Sequence, residues 1–278
     1  MIYPSEIASA FRARERNSSK YSVGTVTIVG GSNHYNHAPV IAGIGARSAG
    51  GGLVQLVVPD ASRICAGALL PEATFTKLTP TCVPPRADVT VMGMGLSTSL
   101  NAQAVVSRVL SGSSGRFVLD ADALTILAGW YAAGQSSSLP LQQQLVMTPH
   151  EGEAARLLSC RREEIAADRE AACRELVARY RATVVLKGAG TLVMSSDGQR
   201  LWQNTSGNPF LALAGAGDLL AGIIGARWAY TKGDPFLATC AAVWMHGAAA
   251  DQLVADREDM TLVNLARQVG RMRISFDQ

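Results

Sequence analysis

Val23-Gly24-Thr25-Val26-Thr27-Ile28-Val29, closed by Gly30-Gly31-Ser32, is the stretch whose reading decides the fold. β-Branched residues dominate it and no charge interrupts it, the pattern of a strand buried on both faces. The glycines that end the run read as a loop at the strand's carboxyl end. Ala38–Ser48 then sets small and apolar residues at helical spacing, and Leu53–Val58 is the next apolar run, stopped by Pro59-Asp60. Strand, loop, helix and strand in that order form the repeating unit of a parallel sheet covered by helices.

The same alternation extends outward from this unit. Val89–Met92, Phe117–Leu119, Leu145–Met147 and Val184–Leu186 are further short strands, separated by helical patterns over Ser99–Leu110, Ala123–Trp130, Glu151–Leu158 and Glu163–Tyr180. After Lys187 the pattern changes. Leu192–Ser195, a turn at Ser196-Asp197-Gly198, and Gln199–Gln203 read as a hairpin. Helices over Asp218–Tyr230, Pro235–Ala255 and Thr261–Ile274 follow. The expectation is an α/β fold with a mostly parallel central sheet and an antiparallel hairpin at one side. Gly129–Leu139 is the best flexible loop but too short for a linker, and no repeat is visible. Residues 1–278 are therefore read as one domain.

Composition narrows the function. Of the 278 residues 48% are hydrophobic and 17% charged, which supplies a large core and argues against disorder. The net charge of +3 is scattered, and Arg12, Arg14 and Arg16 are interrupted by Glu15 with no aromatic platform beside them. Nucleic-acid binding is not expected, since it needs a concentrated basic face. The five cysteines (65, 82, 160, 173 and 240) form no C-x-x-C pair. That suits free thiols in a reducing compartment. With no signal-like N-terminus and no long apolar run, a soluble cytoplasmic protein without membrane contact is expected.

In open parallel sheets ligands sit beyond the strands' carboxyl ends, so the tails of these strands are where chemistry is sought. Asn204-Thr205-Ser206-Gly207-Asn208-Pro209 leads to Ala214-Gly215-Ala216-Gly217-Asp218 at the start of an apolar helix. Unpaired N–H groups of a first helical turn attract anions, and a carboxylate beside them can take a proton from an attacking hydroxyl. The plainer reading of Asp218 is an N-cap. Lys187-Gly188-Ala189-Gly190-Thr191 follows a strand and can face a phosphate with its amides, or serve only as the connection into the hairpin. In Thr148-Pro149-His150-Glu151-Gly152-Glu153, His150 is either a donor to a polar substrate or a structural histidine, and the two glutamates suit a first helical turn. In Leu119-Asp120-Ala121-Asp122, Asp120 leans to the active site and Asp122 to a helix N-cap. His34 and His37 lie in the loop Gly30–Pro39 but lack further ligands, and no resident metal site is assigned. Gly93-Met94-Gly95-Leu96 is one more glycine turn after a strand.

Taken together and in this order, Tyr35-Asn36-His37-Ala38-Pro39, the 119–124, 148–153 and 187–191 motifs, the block from Gly207 to Asp218, and Asp234-Pro235-Phe236 leading to His246-Gly247 resemble the ADP-dependent NAD(P)H-hydrate dehydratases. That group is a branch of the ribokinase-like superfamily, and the likeness runs from about Val23 to about Leu253. The resemblance implies a three-layer α/β/α fold and a lyase that restores hydrated NADH or NADPH, using ADP (ATP in some relatives); Mg²⁺ is expected because it usually accompanies a diphosphate donor. It places Lys187, Gly188, Ala189, Gly190, Thr191, Gly215 and Gly217 at the adenine nucleotide. Ala38, Gly95, His150 and Asp218 fall at the hydrated dinucleotide, with Asp218 as the base on its hydroxyl. It also implies a homotetramer, and a stand-alone form without the epimerase domain that many relatives carry.

The chain departs from the usual family pattern where Phe210-Leu211-Ala212-Leu213-Ala214-Gly215-Ala216 stands. Phe210 replaces a glycine, Leu213 and Ala216 replace threonines, and His37 replaces a glycine in the first loop. Each lost hydroxyl at a transferring phosphate costs on the order of 2–4 kcal/mol by analogy with an oxyanion-hole donor. The altered segment also resembles ATP-dependent kinases of sugars and vitamin precursors in the same superfamily, the alternative activity.

Overall fold

The structure, a computed structural model, describes residues 4–111, 115–135 and 144–277. Its sheet grows from the strand that opens the sequence reading. β1 (Thr25–Val29) pairs in parallel with β2 (Leu53–Val58) on one side and with β4 (Val89–Met92) on the other. β3 (Thr74–Lys77) completes one edge. On the other side follow β5 (Arg116–Leu119), β6 (Gln144–Met147) and β7 (Thr183–Leu186), all parallel. The hairpin β8 (Leu192–Met194) and β9 (Leu201–Gln203) adds two antiparallel strands. The order is β3-β2-β1-β4-β5-β6-β7-β8-β9.

Two apolar layers flank the sheet. Val26 and Ile28 face a core shared with α1 (Ala38–Ser48), α2 (Asp60–Leu69), α8 (Ala216–Thr231), α9 (Pro235–Ala255) and α10 (Leu262–Phe276). Val29, Met92 and Leu119 face the other, built with α3 (Leu100–Ser111), α4 (Asp122–Ala132), α5 (Glu151–Leu158), α6 (Arg162–Ala167) and α7 (Arg169–Tyr180). α9 is apolar nearly all round and correspondingly buried. A Cβ on Gly222 would strike the Ala42 carbonyl, so α8 and α1 touch backbone to backbone. That contact fixes where the amino end of α8 points.

Several expectations are corrected. The helix expected over Glu163–Tyr180 is two helices. Asp168 has φ −145°, breaks the pattern and caps α7 through Oδ1, which accepts from Ala171 N at 2.9 Å. α2 and β3 went unread: β3 is a short edge strand with no apolar run, and Pro59-Asp60 both ends β2 and starts α2. Residues 129–132, expected in a loop, end α4 instead, while 136–139 lie outside the described residues. No helix among the described residues is long and apolar enough to cross a membrane.

Candidate active site

β1 lies between β2 and β4, so the chain winds toward one edge through β2 and β3 and toward the other from β4 onward. This reversal opens a crevice at the carboxyl ends of the strands. Onto that rim the topology brings Gly30 and Gly31 after β1, Gly93 to Gly95 after β4, Asp120 after β5, Thr148 to His150 after β6, and Lys187 after β7.

Lys187 is the hub. Its Nζ donates to Asp120 Oδ1 at 2.7 Å and stands 3.8 Å from Glu153 Oε2. Both carboxylates are buried. A Cβ on Gly217 would lie 3.5 Å from the same Nζ, so the ammonium also borders the first turn of α8. Burial works against its charge, but Asp120 and Glu153 outweigh it and hold the pKa above the ordinary lysine value. Glu153, read from sequence only as a first-turn acid, is thus part of a buried charge network.

Asp218 is the third residue of α8; Ala216 is the first and Gly215 the cap. The N-cap alternative for Asp218 is therefore not what the chain adopts. The carboxyl is half-buried, and burial, then the charge of Asp120, push it up to about 7 against the pull of Lys187. A carboxyl poised near neutrality beside first-turn amides is suited to accept a proton and to sit close to an anion.

His150 takes the structural role that the sequence left open, as the cap of α5. Its Nδ1 accepts from Gly152 N at 3.0 Å and Glu153 N at 3.3 Å, while the His150 backbone N–H donates to Glu153 Oε2 at 2.8 Å, a reciprocal cap on α5. With Nδ1 accepting, the ring proton belongs on Nε2, and burial keeps the pKa below the usual histidine range. A neutral donor remains for a ligand. Asp122 does not cap α4; its Oδ2 accepts from Ser97 N at 2.7 Å and ties down the loop after β4. In that loop Gly95 has φ +63°, and a Cβ there would come within 2.5 Å of Tyr35 Cβ and 3.3 Å of Ala38 Cβ. Gly95 and Ala38, assigned together from sequence, are therefore neighbours across the crevice mouth.

The 187–191 loop is held by a residue that sequence reading passed over. Arg169, first in α7, donates to the carbonyls of Ala189 (2.6 Å), Leu186 (2.9 Å) and Lys187 (3.3 Å). Thr191 Oγ1 donates back to Gly188 O at 2.9 Å, so this hydroxyl braces the turn. The signal that could have revealed Arg169 is Asp168, a capping residue inside an otherwise unbroken helical pattern.

The departing segment forms a short 3-10 turn, Pro209–Leu211, anchored through Asn208 and Gly207 to Asp251. Phe210 is 63% exposed, so its ring stands largely in solvent. His246 is buried, with Nε2 unpartnered among the described residues, and burial lowers its pKa to about 4. His37 occupies the N-cap position of α1 without a side-chain cap bond. Among the described residues no three His, Cys, Asp or Glu side chains gather as a metal cage.

The model of the family described as NAD(P)H-hydrate dehydratase matches residues 26–271. An ADP-dependent (S)-NAD(P)H-hydrate dehydratase of Neisseria meningitidis is 41% identical over 250 residues, spanning 87% of this chain and 81% of that protein. A bifunctional NAD(P)H-hydrate repair enzyme of Gloeobacter violaceus is 39% identical over 254 residues, and there the match spans 87% of this chain but 48% of the relative. The chain thus spans about half the length of such bifunctional relatives. Among solved structures, an ADP/ATP-dependent NAD(P)H-hydrate dehydratase of Bacillus subtilis, co-crystallised with ATP and Mg²⁺, superposes with a TM-score of 0.86 at 27% identity. That match covers 99% of this chain and 98% of the other.

Proposed function

The chain belongs to the NAD(P)H-hydrate dehydratase family, and we propose that it carries out ADP-dependent dehydration of the (S)-hydrate of NADH or NADPH, releasing AMP and phosphate. The observation that carries this reading is the near-neutral carboxyl of Asp218, set in the first turn of α8 beside the Lys187 ammonium.

In this reading Asp218 takes the proton of the added hydroxyl as that oxygen attacks the β-phosphorus of ADP. The β-phosphorus–oxygen bond to AMP breaks, and the amides opening α8 hold the phosphoryl group in transit. The carbon–oxygen bond to the phosphate then breaks, the neighbouring ring carbon gives up a proton to water, and the C–H electron pair re-forms the ring double bond as inorganic phosphate leaves. Lys187 and the 187–191 loop hold the adenine nucleotide together with Gly215 and Gly217. Ala38, Gly95 and the His150 Nε2–H position the dinucleotide. Asp120 and Glu153 keep Lys187 charged and fixed.

The donor set suits Mg²⁺ that arrives with the diphosphate. Asp120 and Glu153 are committed to Lys187, so the ion would be held chiefly by the nucleotide's own phosphates and by water, which Mg²⁺ gives up reluctantly. When bound, the ion neutralises phosphate charge.

The test is restoration of reduced-nicotinamide absorbance from the hydrate, with ADP and ATP side by side, for the wild type and Asp218→Asn. Restoration by the wild type alone supports the reading; none by folded wild type overturns it. The departures at Leu213 and Ala216 favour one other reading, an ATP-dependent small-molecule kinase. ADP release from ATP above the no-acceptor blank, with a panel of hydroxymethyl compounds, would reveal it.

A further inference from the structure

We infer that Arg169 is the positioning residue for the nucleotide loop: by gripping the loop's carbonyls it aims the amides of Gly188 and Gly190 at the diphosphate. The inference rests on the assignment of residues 187–191 to the nucleotide.

The argument is one of peptide geometry. In a trans peptide the C=O of one residue and the N–H of the next point in opposite directions. No cis peptide occurs among the described residues. Arg169 Nη2 holds the Lys187 carbonyl and Nη1 the Ala189 carbonyl. The partner amides across those two peptides, Gly188 N–H and Gly190 N–H, must therefore face away from the guanidinium. The intervening carbonyl of Gly188 is taken by Thr191 Oγ1, and the amide of Lys187 is spent on Pro149 O at 2.8 Å. The amides of Gly188 and Gly190 thus point the same way from one short turn, the arrangement of an anion-binding nest. Gly188 at φ +147° and Gly190 at φ +63° supply backbone conformations that other residues adopt only with strain.

A planar fork is required for this grip. One guanidinium reaches three carbonyls because its donors are fixed in a plane, whereas an ammonium at the same place carries the charge without the geometry. The fork is itself aimed. The break at Asp168 makes Arg169 the first residue of α7, and Glu151 Oε1 stands 4.0 Å from its Nε while Glu151 Oε2 accepts from Arg162 at 3.2 Å. Glu151 lies in the first turn of α5, so the guanidinium stands between the start of that helix and the 187–191 loop.

The experiment compares the wild type with Arg169→Lys and Arg169→Gln, measuring ADP affinity by calorimetry, KM for ADP and for the hydrate, and thermal midpoint. Arg169→Lys, with its charge intact, is expected to weaken ADP binding tenfold or more and to leave KM for the hydrate within twofold. Arg169→Gln is expected to lose at least as much. ADP affinity in Arg169→Lys equal to wild type would overturn the inference, because charge alone would then suffice. A parallel rise in both KM values would overturn it too, as the mark of general loosening. Wild type that binds ADP yet repairs no hydrate defeats the dehydratase reading, and the calorimetric comparison then decides the inference by itself. Wild type that binds no adenine nucleotide defeats the inference.

Discussion

Lys187 Nζ lies 2.7 Å from Asp120 Oδ1 although the two residues are 67 positions apart in the chain. The contact exists because β5 and β7 flank β6 and all three end on the same rim. Asp120 is buried and the Lys187 side chain is only 18% exposed, which makes the pair a means of holding one ammonium at a fixed point beside α8.

Removing one member of such a pair leaves the other charge buried and uncompensated, which is far worse than losing both. Lys187→Met is expected to lower stability by about 3 kcal/mol and to weaken ADP binding. Lys187→Met combined with Asp120→Leu should recover part of the stability but none of the binding. Urea unfolding alongside calorimetry checks both, and recovered binding in the double variant would remove Lys187 from the nucleotide site.

The carboxyl of Asp218 is raised to about 7, so below that pH it is mostly protonated and cannot act as a base. Turnover should therefore climb through the neutral range and level off above it. Asp218→Asn should lower kcat by about 10²–10⁴ with ADP affinity kept. A rate independent of pH from 6 to 8 would show that another group takes the proton.

Burial lowers the His246 pKa to about 4, against 6.5 for the free side chain. A histidine whose folded pKa is depressed binds its proton more readily when unfolded. Its neutral form thus supports the fold above pH 6.5, and that support is lost as pH falls toward 4. The loss amounts to on the order of 3 kcal/mol. Comparing unfolding midpoints of the wild type and His246→Gln across this range isolates the effect, since other titrating groups are common to both. Parallel curves would contradict it.

Arg227 is fully buried in α8, and its Nη1 lies 3.1 Å from both Asp277 carboxylate oxygens while Nη2 donates to Ala10 O at 2.7 Å. Asp277→Asn keeps the shape but removes the counter-charge, and should destabilise the protein by about 3–5 kcal/mol. Chemical denaturation measures this; a change under 1 kcal/mol would mean that the Ala10 carbonyl and the Phe11 and Tyr230 rings suffice for the guanidinium.

The parallel sheet was legible because its central strands are continuous apolar runs, and the helix over 151–158 was legible to the residue because Glu151 and Glu153 supply the acids of a first turn. β3 escaped because an exposed four-residue edge strand needs no apolar signature. The break at Asp168 escaped because helical periodicity on either side of it is in phase with a single helix.

Local sequence by itself determined which segments became strands and helices, and it placed glycine, carboxylate and basic residues at the strand ends, since burial pattern and turn chemistry act over a few residues. Only the tertiary structure decided which of those strand ends meet. The ammonium at 187 found its partners at 120 and 153, and the guanidinium at 169 found three carbonyls, because sheet order and the turn at 168 set distances that no short stretch of chain encodes. The same enclosure pushed the carboxyl at 218 toward neutrality, for the cost of an unhydrated charge depends on everything packed around it.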